Sequence, residues 1–149
     1  MATVMVSCKN NSEAGLLTGL FSVDYGRTIR FSSGNLQYQA STGTWRFAEH
    51  QWDIIGSANS NISSSYSGWI DLFGWGTSGW NSGNVYYQPY SSAGSLESDN
   101  GGQYGPYGKC NLTGKYAHAD WGVHNAISNG GNAAGLWRTL TVYEWNFLF

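Results

Sequence analysis

Trp137-Arg138-Thr139-Leu140-Thr141-Val142-Tyr143-Glu144-Trp145-Asn146-Phe147-Leu148-Phe149 closes the sequence, and its reading sets the fold class. Thr141 and Glu144 stand at the T-x-x-E spacing of a capping box, in which each side chain satisfies an otherwise orphan backbone donor of the first helical turn. That spacing predicts a helix starting near Val142, with Trp137-Arg138-Thr139-Leu140 leading directly into it. About two turns follow, too few to persist in water unless docked on something else. Trp-Asn-Phe-Leu-Phe has no cap, charge or glycine behind it, unlike most natural C-termini. The sequence is therefore expected to be the first part of a larger domain.

Working back from this helix, the rest of the 149-residue chain is long enough for one domain with a real core. Charged residues make up 11%, against roughly 25% in ordinary soluble proteins, with 21 Gly, 8 Trp and 10 Tyr in their place. The polar surface must come from Asn, Ser, Thr, Gln and Tyr, a surface common among secreted proteins that meet carbohydrate or other neutral partners. Net charge is -2, and no run of Lys or Arg exceeds one residue. A phosphate backbone would find few counterions here, which argues against nucleic acid as a partner. No stretch approaches the roughly 18 apolar residues of a transmembrane span. The opening Met1-Ala2-Thr3-Val4-Met5-Val6-Ser7-Cys8 lacks the basic n-region and long apolar h-region of a signal peptide.

Residues 1–14 read as an N-terminal strand or tail, and 15–149 as a single α+β domain. Leu20-Phe21-Ser22-Val23 and Thr28-Ile29-Arg30-Phe31 flank Asp24-Tyr25-Gly26-Arg27, the pattern of a hairpin whose glycine accepts positive φ. Leu36-Gln37-Tyr38-Gln39 and Thr44-Trp45-Arg46-Phe47 follow across Ser41-Thr42-Gly43, so 20–47 is expected to be one small antiparallel meander. The next ten residues, 47–56, form either a short helix, with Ala48, Trp52 and Ile55 on one face, or an extended packing segment. From 57 to 114 periodicity nearly disappears. Trp69, Ile70, Leu72, Phe73, Trp75 and Trp80 nevertheless carry more aromatic area than disordered compositions do, which predicts an ordered loop pinned by buried rings, with a flexible excursion at 91–106. Asp120 is placed to cap a short helix around Trp121, His124 and Ile127, which Asn129-Gly130-Gly131-Asn132 ends.

Several of these blocks carry a resemblance. Gly34-Asn35-Leu36-Gln37-Tyr38, Trp45-Arg46-Phe47-Ala48-Glu49, the run from Gly68-Trp69-Ile70-Asp71 through Trp75-Gly76-Thr77-Ser78-Gly79, Asp120-Trp121-Gly122 and Trp137 to Trp145 together resemble a large group of secreted or surface proteins of gut Bacteroides and their relatives. The likeness covers nearly all of 15–149 and implies a surface or adhesion role, in a chain that continues past Phe149. More remotely, Arg138, Leu140, Thr141, Glu144 and Trp145 are similar to the pattern that opens a helix in formylglycine-generating enzymes and C-type-lectin-like variable proteins. Leu140 replaces the proline usual before the threonine. This implies a C-type-lectin-like fold, with small antiparallel strands, short helices and long ordered loops, and no activity. The cysteine pair of the formylglycine-generating enzymes has no counterpart.

Cys8 and Cys110 are the only cysteines. They either form one disulfide, closing a loop of about a hundred residues at about 2–4 kcal/mol, or remain free thiols. Asp120 and His124, with His118 nearby, come nearest to a metal or acid–base cluster, but no H-E-x-x-H, C-x-x-C or calcium-loop spacing supports one, and neither metal nor cofactor is expected. Asp71, between Ile70 and Leu72, is the first candidate for a buried carboxylate held by loop N–H groups. Arg46 and Arg138 each follow a tryptophan, which points to stacking on an indole or pairing with an acid rather than to anion binding. Asn61-Ile62-Ser63 and Asn111-Leu112-Thr113 fit the glycosylation sequon in form.

Trp69, Asp71, Trp75, Trp121, Arg138, Thr141, Glu144 and Trp145 are thus assigned to the architecture, and Trp80, Tyr86, Tyr87, Tyr90, Tyr104 and Tyr107 to a ligand surface of stacking rings. The expected function is noncatalytic binding or adhesion, recognising a glycan or a protein at a cell surface. Two rivals stand beside it. A polysaccharide hydrolase would need two of Glu49, Asp53, Asp71 and Asp120 in one solvent-facing cleft; an assembly subunit would self-associate or dock through the C-terminal helix.

Overall fold

The structure, a computed structural model, describes residues 5–7, 15–61, 63–80 and 111–149. Cys8, Cys110, the tyrosines from 86 to 107 and the 91–106 excursion lie outside the described residues.

The fold is α+β: small antiparallel sheets with a few short helices. Strands β2 (Phe21–Asp24) and β3 (Arg27–Phe31) form the expected hairpin, in which Tyr25 and a Gly26 at φ +76° turn the chain. Strand β1 (Met5–Ser7) pairs antiparallel with β3 on one side and with β6 (Trp137–Thr139) on the other, giving the sheet order β2-β3-β1-β6. The N-terminal strand is therefore central in the sheet.

That insertion also divides the expected meander. Val6 pairs with Phe31 on the edge of β3 that a following strand would have used. Strands β4 (Leu36–Gln39) and β5 (Thr44–Phe47) instead make a second, two-stranded sheet. Its outer edges are occupied by short pieces of chain. Tyr38 and Ile70 exchange backbone bonds of 2.8 and 2.9 Å, and Trp45 accepts from Ser128 N at 2.8 Å. Next to this, the Asn129 side chain behaves as one more peptide unit, accepting from Phe47 N at 2.7 Å and donating to Phe47 O at 2.9 Å.

The 47–56 segment is not helical. Ala48 N donates to Asn35 O, and Ala48 O accepts from Ser33 Oγ, so the backbone groups a helix would need are already bound. Gly34 makes this contact possible, since a Cβ there would stand 2.7 Å from Ala48 O and 2.6 Å from His50 O. Trp52, expected on the buried face with Ala48, is 76% exposed.

Past Gly56 the chain makes a 3-10 helix (Gly56–Ser60) and then an irregular stretch organised by buried Asn59 and Asp71. Asn59 Oδ1 accepts from Asp71 N at 2.8 Å, and Asn59 Nδ2 donates to Asp71 Oδ1 at 2.7 Å. Asp71 Oδ2 accepts from Ile55 N at 3.0 Å. A second 3-10 helix (Gly114–Ala119) leads into α1 (Trp121–His124), capped by Asp120, which accepts from Gly122 N. Helix α2 (Val142–Leu148) begins with both halves of the Thr141/Glu144 capping box in place.

Among the described residues two apolar clusters fill the interior. The larger contains Met5, Leu36, Tyr38, Trp45, Phe47, Ile70, Phe73, Trp121, Ile127 and Trp137. The smaller contains Val6, Val23, Ile29 and Leu140, with Trp145 and Leu148 of α2 packed against it. Ring contacts run through the larger one, Tyr38 on Trp45 at 4.4 Å and Phe47 on Trp137 at 4.5 Å between centroids. No helix among the described residues is long and apolar enough to cross a membrane.

Candidate functional site

A cleft of about 890 Å3 opens where the 47–56 segment leaves β5, lined by Gln37, Arg46, Glu49, Trp52, Asp53 and Asn129 among others. β4 and β5 supply Gln37 and Arg46 as cross-strand partners on one wall. The non-helical segment supplies Glu49, Trp52 and Asp53 on the other. Gln37 is buried and Arg46 half-buried, whereas Glu49 and Trp52 are exposed.

Trp52 is exposed but not loose. His50 stacks on its ring at 4.6 Å between centroids, with planes 11° apart. Asp53 in turn fixes His50: its Oδ2 accepts from His50 N at 2.9 Å and lies 3.4 Å from His50 Nδ1. The result is an indole presented to solvent on a braced support, in a cleft also lined by the carboxylates of Glu49 and Asp53. Such a surface suits a partner with an apolar face and a hydroxylated edge.

Of the residues assigned to a ligand surface from sequence, only Trp80 is among the described residues. Trp80 is 37% exposed, and its backbone N–H donates to Ser78 Oγ at 3.2 Å. Tyr86, Tyr87, Tyr90, Tyr104 and Tyr107 lie outside the described residues. Trp52 itself carried a signal: Glu49-His50-Gln51-Trp52-Asp53 surrounds a single aromatic ring with polar groups on both sides.

The architectural residues are spread through the core. Trp69 lies under the Arg46 guanidinium, and Trp75 meets Trp121 edge-on at 6.0 Å. Trp121 is buried, and Trp145 stacks on Phe149. Arg138 donates twice to Glu144, from Nη1 at 2.7 Å and Nη2 at 2.6 Å, while Thr141 completes the capping box around the same carboxylate.

Asp120 and His124 do not act together. Asp120 turns inward, where its Oδ2 accepts from Thr139 N at 2.6 Å and Thr139 Oγ1 at 2.7 Å. Burial pushes its carboxyl up, against the opposing pull of the Thr139 and Gly122 bonds and the Arg138 charge. His124 is exposed, and burial of part of its ring, then the neighbouring His118, holds it below the usual imidazole value. Among the described residues no three of His, Cys, Asp and Glu gather to hold a metal ion. Asn111 of the second sequon is buried, with its Oδ1 accepting from Val142 N at 2.8 Å, so its amide is engaged in holding α2. Of the acids proposed for glycoside chemistry, Glu49 and Asp53 share the cleft, while Asp71 and Asp120 are spent inside the fold.

No protein family, curated protein or solved structure matches the chain.

Proposed function

We propose that this chain is a noncatalytic binding domain of a secreted or surface protein and that it recognises a glycan in the cleft beside Trp52. The observation that carries the reading is the indole, 76% exposed yet stacked on His50 at the mouth of an open cleft. Leaving a large ring in water forgoes the burial free energy that places most tryptophans inside. A sugar ring offers a C–H face to cover it, and Glu49 and Asp53 accept from hydroxyls at its edge. The low charge of the chain and the resemblance of its sequence blocks to Bacteroides surface proteins support the same reading. We extend it to a C-type-lectin-like kinship of the fold, on the Arg138 to Trp145 pattern.

A glycan array probed with wild-type protein and Trp52→Ala tests this. Loss of one stacking ring, about 0.5–1.5 kcal/mol beyond its buried area, should weaken the bound signals about tenfold. An array with no binding, or binding indifferent to Trp52→Ala, removes the proposal. Cleavage of the bound oligosaccharide would instead give the cleft to a polysaccharide hydrolase, a reading favoured by the joint placement of Glu49 and Asp53 on it.

A separate observation favours an assembly module. Phe21, Tyr25, Tyr143, Phe147 and Phe149 are exposed on or beside β2 and α2, with Tyr25 and Phe147 already in edge contact at 5.8 Å. Light scattering across a concentration series should show self-association if that face serves it; a constant monomer mass would end this reading.

A further inference from the structure

Among the described residues, Arg46 is a charge without a counter-charge. Its guanidinium carbon stands 3.7 Å from the centroid of the Trp69 ring, and its Nε donates to Gln37 Oε1 at 2.8 Å. Both partners are neutral. The Arg–carboxylate pairs among the described residues join Arg27 and Arg138 to Glu144, Asp53 lies 3.4 Å from His50 Nδ1, and no described carboxylate comes within pairing distance of Arg46. Burial draws its proton affinity down, but a guanidinium stays ionised in proteins. A partly buried cation whose partners among the described residues are a π face and a neutral amide is incompletely compensated.

The geometry of that support matters as much as the charge. The Trp69 ring lies against the guanidinium, and the Nε bond to Gln37 anchors one of its edges. The two terminal nitrogens are then left for the cleft that Arg46 lines. This is a prepared fork for a planar anion, which a guanidinium binds through two parallel N–H bonds.

We infer that the ligand of this cleft carries a carboxylate, and is an acidic sugar of the uronate class, held by the terminal guanidinium nitrogens of Arg46 while Trp52 covers a ring face. This rests on the glycan reading of the Trp52 cleft and narrows it. The rim acids do not contradict it. Asp53 is already engaged by the His50 N–H and imidazole, and Glu49 is in solvent, where water and salt weaken its field. Both stand outside pairing distance of Arg46, so they confine the anion to the Arg46 wall and leave the opposite edge for hydroxyls.

The test is calorimetric titration of the full chain with an oligouronate and with its methyl ester, which keeps the backbone and removes the charge. The acid form should bind about tenfold tighter at low salt, as expected for a charge-assisted pair. That preference should disappear in Arg46→Gln, shrink in Arg46→Lys, which keeps the charge but not the fork, and weaken as salt is added. Equal binding of acid and ester overturns the inference and leaves the glycan site standing, as does binding of neutral oligosaccharides alone. If no glycan of any kind binds, the glycan reading falls and this one with it. Should Arg46→Gln fail to fold by circular dichroism, the acid-to-ester ratio and its salt dependence in the wild type still decide.

Discussion

Glu144 shows how one side chain can gather distant parts of this chain. It is 1% exposed, yet it accepts from Arg27 at 2.8 Å, from both terminal nitrogens of Arg138, and from Thr141 N at 2.8 Å. Burial alone would push its carboxyl up, but the Arg138 and Thr141 hydrogen bonds and the Arg138 charge outweigh it and hold the group below the usual range. A carboxyl depressed by folding contributes stability that is complete above its unfolded value, about 4.3, and that is lost as pH falls through its folded value. Asp120, raised by burial, has the opposite sign: its charged form costs stability, and protonation relieves that cost as pH falls. Glu144→Gln should therefore lower stability at pH 7 by about 1.5–3 kcal/mol, a range for bonds to a charged group, since both arginines keep access to water. In urea melts the gap between wild type and variant should close as pH is taken below about 4. A gap unchanged between pH 7 and 3 would show that the bonds to Glu144 do not depend on its charge.

At the scale of elements, what was legible in the sequence was what neighbours in sequence decide. Thr141 and Glu144 are three residues apart, and the box they form depends only on that spacing and on the helix that follows. The Asp120 cap and the Tyr25-Gly26 turn are local in the same way. So is the burial of Asp71 between two apolar residues, although its partner Asn59 lies twelve positions back and gave no sign of its role. The division of 20–47 into two sheets could not be read there, because its cause is Val6 meeting Phe31, a pairing that leaves no trace in local alternation. Trp52 fails for a related reason. Ala48, Trp52 and Ile55 share a face only on a helix, and Ser33, Gly34 and Asn35 occupy the space and the bonds that the helix would need. Of the candidate site, Glu49 and Asp53 were named in the sequence among acids for a cleft, whereas Trp52 was expected on a packing face. Helix α2 shows the same division: its start was set by spacing, while its persistence over seven residues depends on Trp145 and Leu148 reaching the cluster of Val6, Val23 and Ile29.

Across the whole molecule, three residues of β1 hold the two interiors together. Successive side chains of a strand point to opposite faces. Met5 accordingly enters the larger cluster and Val6 the smaller, and both are fully buried. The backbone of the same strand joins β3 to β6, so neither cluster can lose its packing without loosening the sheet that the other is built on. This predicts a single cooperative transition. Met5→Ala should cost about 2–5 kcal/mol, as for other large-to-small core changes, although Met5 touches only one cluster. Indole fluorescence, to which the larger cluster contributes Trp45, Trp121 and Trp137, and far-UV circular dichroism, which reads the backbone throughout, should shift to the same lower denaturant midpoint. Val6→Ala should move both signals together in the same way from the opposite face. If Met5→Ala shifted the fluorescence midpoint and left the backbone signal where it was, the two clusters would be separate folding units, and the central strand would be a contact between them and not their common support.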